Sequence, residues 1–75
     1  MLYHALRSAL IDGDTAPLQA ALAANDGSAF TVINGVVVRI WHTTKWRIQA
    51  GSYHTAITPE NLSYKLDFIT KEILP

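Results

Sequence analysis

Ala29-Phe30-Thr31-Val32-Ile33-Asn34-Gly35-Val36-Val37-Val38-Arg39-Ile40-Trp41 is the stretch that decides how this chain folds. Asn34-Gly35 supplies two residues that readily take positive φ, as a type I′ turn requires, and β-branched residues flank it. The reading is a hairpin in which Ile33 faces Val36, Val32 faces Val37, Thr31 faces Val38 and Phe30 faces Arg39. Working outward, His42-Thr43-Thr44-Lys45 reads as a four-residue turn that sets Trp41 opposite Trp46 and Arg39 opposite Ile48. Gly51-Ser52 then sets Ala50 opposite Tyr53, Ile48 opposite Thr55 and Trp46 opposite Ile57. A four-stranded antiparallel meander follows.

That register sorts the strands into two faces. One collects Phe30, Val32, Val37, Trp41, Trp46, Ile48, Ala50, Tyr53 and Ile57 around a single charge, Arg39. It is expected to be the core, because it holds most of the aromatic area and a Trp41–Trp46 cross-strand pair. Arg39 would be kept there by stacking on Phe30 or by pairing with a helix acid. The other face presents Ile33, Val36, Val38 and Ile40, rimmed by His42, Lys45, Arg47 and His54. Unless a helix covers it, such an apolar-plus-basic patch implies a protein partner or a second copy of the chain, with Val38, Ile40 and Arg47 as its hot spot.

Helical patterns flank the sheet. Leu2, Ala5, Leu6, Ala9 and Leu10 form a short apolar stripe that Asp12-Gly13-Asp14 terminates. A second helix starts around Thr15 to Pro17, carries Leu18, Ala21, Leu22 and Ala24, and stops at Asn25-Asp26-Gly27. Thr58-Pro59-Glu60 opens a C-terminal helix whose Leu62, Leu66, Ile69 and Ile73 make one stripe for the sheet. Tyr64 and Phe68 fall on its opposite side, either covered by the N-terminal helices or forming a second docking patch. The expected architecture is a single α+β domain over residues 1–75: two short N-terminal helices, the meander, and a C-terminal helix packed on the sheet.

The totals bound the rest. Seventy-five residues without cysteine leave packing alone, helped at most by self-association, to hold the fold. About half the residues are apolar, enough for a core. No stretch approaches a membrane span, and the N-terminus lacks the pattern of a signal peptide, so a soluble cytoplasmic protein is expected. The net charge of zero conceals a pattern: residues 1–26 carry −2, residues 27–58 carry +3 with no acid, and residues 59–75 carry −1.

Leu6-Arg7-Ser8-Ala9-Leu10-Ile11-Asp12-Gly13-Asp14-Thr15-Ala16-Pro17-Leu18-Gln19-Ala20-Ala21-Leu22 resembles the opening helices of nuclear-transport-factor-like domains, and equally a single ankyrin-type helical pair. The resemblance covers under a third of the chain and carries no functional residue to it.

Chemistry-bearing motifs are sparse. His42 and His54 fall about 13 Å apart in this register, too far to share an ion, so neither a metal nor a cofactor is expected. Ser8, Ser28, Ser52 and Ser63 have no nucleophile setting, and no acid lies in the sheet to orient a histidine. Each of the four glycines reads as a cap or turn, not as a phosphate loop. The functional expectation is a non-enzymatic protein-binding module of the inhibitor or adaptor type, such as bacteriophages and mobile elements encode, with a homodimer as a variant. The alternative is a small sheet-based nucleic-acid binder using Lys45, Arg47 and the tryptophans; two or three cations between acidic flanks favour it less.

Overall fold

Backbone chemistry sets the boundaries of the elements much as the sequence reading requires. The computed structural model of the protein describes residues 2–24 and 27–74; the expected helix stop at Asn25-Asp26 lies outside them. Helix α1 (Leu2–Arg7) buries Leu2, Ala5 and Leu6, and its last turn, Ser8–Asp12, widens to π geometry. Gly13, at φ 73°, closes that turn by donating its N–H to the Ser8 carbonyl. Helix α2 (Ala16–Ala23) has Pro17 in its first turn, where a missing N–H costs nothing, and buries Leu18, Ala21 and Leu22.

Strands β1 (Ala29–Ile33), β2 (Val36–His42), β3 (Trp46–Ala50) and β4 (Tyr53–Ile57) form one antiparallel sheet in the order β1-β2-β3-β4. Asn34 (φ 51°) and Gly35 (φ 80°) make the expected turn, and Ile33 pairs with Val36. After β4, Thr58 and Asn61 cap one another: the Thr58 N–H donates to Asn61 Oδ1 (2.8 Å) and the Asn61 N–H to Thr58 Oγ1 (3.2 Å). The last helix, α3 (Leu62–Phe68, with a π turn over Ile69–Ile73), therefore begins a turn later than Thr58-Pro59 suggests. Its Leu62, Leu66 and Ile69 are buried, as their spacing requires.

The first and third hairpins have the expected registers. The middle one does not. Only residues 43–45 make the β2–β3 turn, where the Thr43 N–H donates to the Lys45 carbonyl (3.2 Å). His42 rather than Trp41 lies opposite Trp46, and Arg39 lies opposite Gln49 rather than Ile48. A slip of one residue reverses every side chain of β1 and β2 relative to β3 and β4.

The core consequently differs from the expected one. Val38, Ile40, Trp46, Ile48, Ala50 and Ile57 form the inner face of the sheet and pack against all three helices. Ile33 and Val36 are half-buried at its margin, whereas Phe30, Val32 and Val37 lie outside. The physical reason is Arg39. The two sets of apolar side chains offer similar transfer energy, about 1.5–3 kcal/mol for each one fully buried. Pressing a guanidinium against an apolar helix layer instead costs several kcal/mol. The observed register leaves Arg39 in solvent.

Two hydrogen bonds fix the helices on this core. The buried Trp46 indole Nε1–H donates to the Leu22 carbonyl at 3.0 Å, fastening α2 to β3. Arg7 Nη1 donates to Thr31 Oγ1 at 2.7 Å, fastening α1 to β1 and satisfying the one buried polar side chain among the described residues. None of the described helices is long and apolar enough to cross a membrane.

Candidate functional site

With all the helices on the inner face, the outer face of the sheet is left uncovered. The register arranges it in cross-strand rows: Val32 beside Val37; then Phe30, Arg39, Gln49 and His54; then Trp41, Arg47 and Ala56. The β1–β2 end is apolar, with Phe30 62%, Val32 52% and Val37 46% exposed. The opposite end is cationic and aromatic, and no Asp or Glu occurs anywhere in these strands.

The polar half is organised around Trp41. The Arg39 guanidinium carbon lies 5.0 Å from the centroid of its ring, within cation–π range. The His54 imidazole stacks on the same indole at 5.4 Å between centroids and 29° between planes. Arg47 Nη1 approaches His54 Nε2 at 3.5 Å, at the limit of a hydrogen bond. Four side chains from three strands thus hold one another in place. All the acids among the described residues lie in the helices and loops, so the molecule has a positive sheet face and a negative helical side.

The expected partner-binding set is divided by this arrangement. Arg47 and His54 belong to the outer face. Val38 and Ile40 are core residues, with Ile33 and Val36 at the margin of the core, so these four do not form a surface patch and Val38 and Ile40 cannot be a hot spot. His42 is exposed at the end of β2, with its ring tilted against Trp46 at 5.1 Å, and Lys45 is exposed in the adjoining turn. In their place stand Phe30, Val32, Val37, Arg39 and Trp41, all assigned to the core by the wrong middle register. The lone arginine on an otherwise apolar face was the signal that could have found them.

Tyr64 and Phe68 do not act as a pair. Tyr64 is the more exposed and faces the groove between the end of α1 and α3, whereas Phe68 tilts against Tyr53 at 5.0 Å between centroids. Among the described residues, no three potential metal ligands come together.

No family model matches the chain, and no curated protein or solved structure shows significant similarity to it. The functional reading therefore rests on the geometry of the surface itself.

Proposed function

We propose that this chain is a small, non-enzymatic protein-binding module of the inhibitor or adaptor type, acting in the cytoplasm through the outer face of its sheet. The observation that carries the reading is the uncovered apolar end of that face, where Phe30, Val32 and Val37 adjoin the acid-free group of Arg39, Trp41, Arg47 and His54. Monomeric proteins seldom leave large apolar side chains clustered in this way without a binding role. Aromatic and arginine side chains beside an apolar patch are also what interface centres favour. The complementary partner presents an apolar centre with acidic neighbours.

Quantitative affinity capture with the wild-type chain, Val37→Glu and Arg47→Glu tests this. Both side chains are at least partly exposed, so both variants keep the fold. A genuine partner is retained by the wild type and depleted by both substitutions. Proteins captured equally by all three chains would remove the outer face from consideration.

A second reading, single-stranded nucleic acid, is favoured by Phe30, Arg39 and Trp41 sharing the open face. Against it, the Trp41 ring is already engaged by Arg39 and His54, so a stacking base has to displace one of them. Titration with random DNA and RNA at low and moderate salt separates the two. Binding that falls steeply with salt would promote the nucleic-acid reading.

A further inference from the structure

The two edges of the sheet are treated differently. The two-residue turns make Ile33–Val36 and Ala50–Tyr53 the closing hydrogen-bonded pairs, and alternation then directs the N–H and C=O of Phe30, Val32, His54 and Ala56 away from the sheet. On β4, Lys65 Nζ covers the edge by donating to Thr55 Oγ1 (2.6 Å) and to the Ala56 carbonyl (3.3 Å). A lysine laid along an edge is a familiar block to strand addition. On β1, no backbone hydrogen bond outside the sheet reaches Phe30 or Val32 among the described residues.

Beside that open edge runs a groove of about 750 Å³, walled by Tyr3 and Arg7 of α1 on one side and by residues 28–32 on the other. Arg7 is half-buried in the wall. Its guanidinium donates to Thr31 Oγ1 and lies 6.0 Å from the centroid of the Tyr3 ring. The only ion pair among the described residues is Lys71 with Asp67, so Arg7 has no carboxylate partner there. A guanidinium has five donors, and the one bond to Thr31 leaves most of them for a ligand.

We infer that the β1 edge captures an extended peptide segment as a fifth strand, with a carboxylate of that segment, from a side chain or a C-terminus, meeting Arg7. The added backbone pairs with the outward groups of Phe30 and Val32, and its inner side chains enter the groove against Tyr3. A second copy of this chain fits less well. Antiparallel β1–β1 pairing centred on Thr31 brings the two Arg7 guanidiniums together, with no acid supplied by the strands. This site shares Phe30 and Val32 with the apolar end of the outer face, but its anchor differs: Arg7 is on the helical side, and Arg47 lies two strands away.

The test is selection from a displayed library of random linear peptides against the full chain, followed by affinity measurement on Arg7→Gln, Val32→Pro and Arg47→Glu. Proline at position 32 removes the outward N–H, which an edge strand tolerates, and also the exposed valine side chain, so Val32→Ala, which keeps the N–H, serves as the control and should bind nearly as the wild type does. The expected result is a family of alternating apolar peptides bearing Asp, Glu or a free C-terminus. Their binding weakens about tenfold or more in Arg7→Gln and in Val32→Pro, is unchanged in Arg47→Glu, and slows hydrogen exchange at Phe30 and Val32. Failure to enrich such a family overturns the proposal, as does enrichment of peptides that bind Val32→Pro normally. Peptides lost only in Arg47→Glu would overturn it while leaving the outer-face reading intact. A wild-type dimer split by Val32→Pro would assign the edge to a second copy.

Discussion

Val38→Ala should cost about 2 kcal/mol of folding stability, and Val37→Ala well under that, although the two valines are neighbours in one strand. Val38 is fully buried, so its truncation loses about 1.6 kcal/mol of transfer energy for two methylene equivalents, with a cavity term added. Val37 is 46% exposed, which reduces the transfer loss by roughly half and leaves no cavity. Both substitutions forfeit the same β-branched strand preference, so the difference between them, about 1 kcal/mol or slightly more, isolates burial. A chain of this size has about 4–11 kcal/mol in all, at about 0.05–0.15 kcal/mol per residue, so both variants still fold. Urea titration followed by far-UV circular dichroism reads the result directly. With a slope of about 1 kcal/mol per molar urea, the two midpoints should differ by about 1 M. Lysine sharpens the contrast, since Val37→Lys should fold and Val38→Lys should not. Equal midpoints, or a costlier change at Val37, would mean that a four-residue β2–β3 turn and the opposite face assignment are correct.

Lys65→Met should lose about 1 kcal/mol with the two bonds at Thr55 and Ala56, and should make the chain associate at high concentration as the β4 edge opens; sedimentation velocity would detect it. Trp46→Phe should lose about 1–3 kcal/mol, more than its loss of area implies, because the buried hydrogen bond from the indole to the Leu22 carbonyl goes with it; a thermal melt no lower than that of the wild type would contradict this. Arg47→Glu should leave the unfolding free energy from urea titration within about 0.5 kcal/mol of the wild type, because the side chain is half-exposed and its one hydrogen bond is the long approach to His54.

The parts of the fold that could be read from sequence were those with local causes. Asn34-Gly35 dictates a turn because few other pairs accept two positive φ values, and the Leu62, Leu66, Ile69 stripe admits one orientation of α3. The β2–β3 connection had no such cause. His42-Thr43-Thr44-Lys45 accommodates three or four turn residues equally well, and both faces of the first hairpin are rich in valine and isoleucine. What distinguishes them is the cost of burying Arg39, a term that outweighs the aromatic area of Trp41. Weighing that charge first recovers the outer face, including Arg47 and His54, from sequence alone. The β1 groove is of another kind. Arg7 and Thr31 are 24 residues apart, and nothing local to either says that α1 lies along that edge. Only the packing of α1 brings them together.

The two tryptophans end up in opposite situations: the Trp46 indole is sealed beneath α2, whereas Trp41 is half-buried on the open face among Arg39 and His54. Nature has in effect provided two independent optical channels. A chain retaining only Trp46 reports the docking of α2 and is blind to ligands on the sheet. One retaining only Trp41 reports events at the sheet surface and is nearly silent about the closure of the core. Folding and recognition can therefore be timed separately by stopped flow, on the same molecule and without an attached dye.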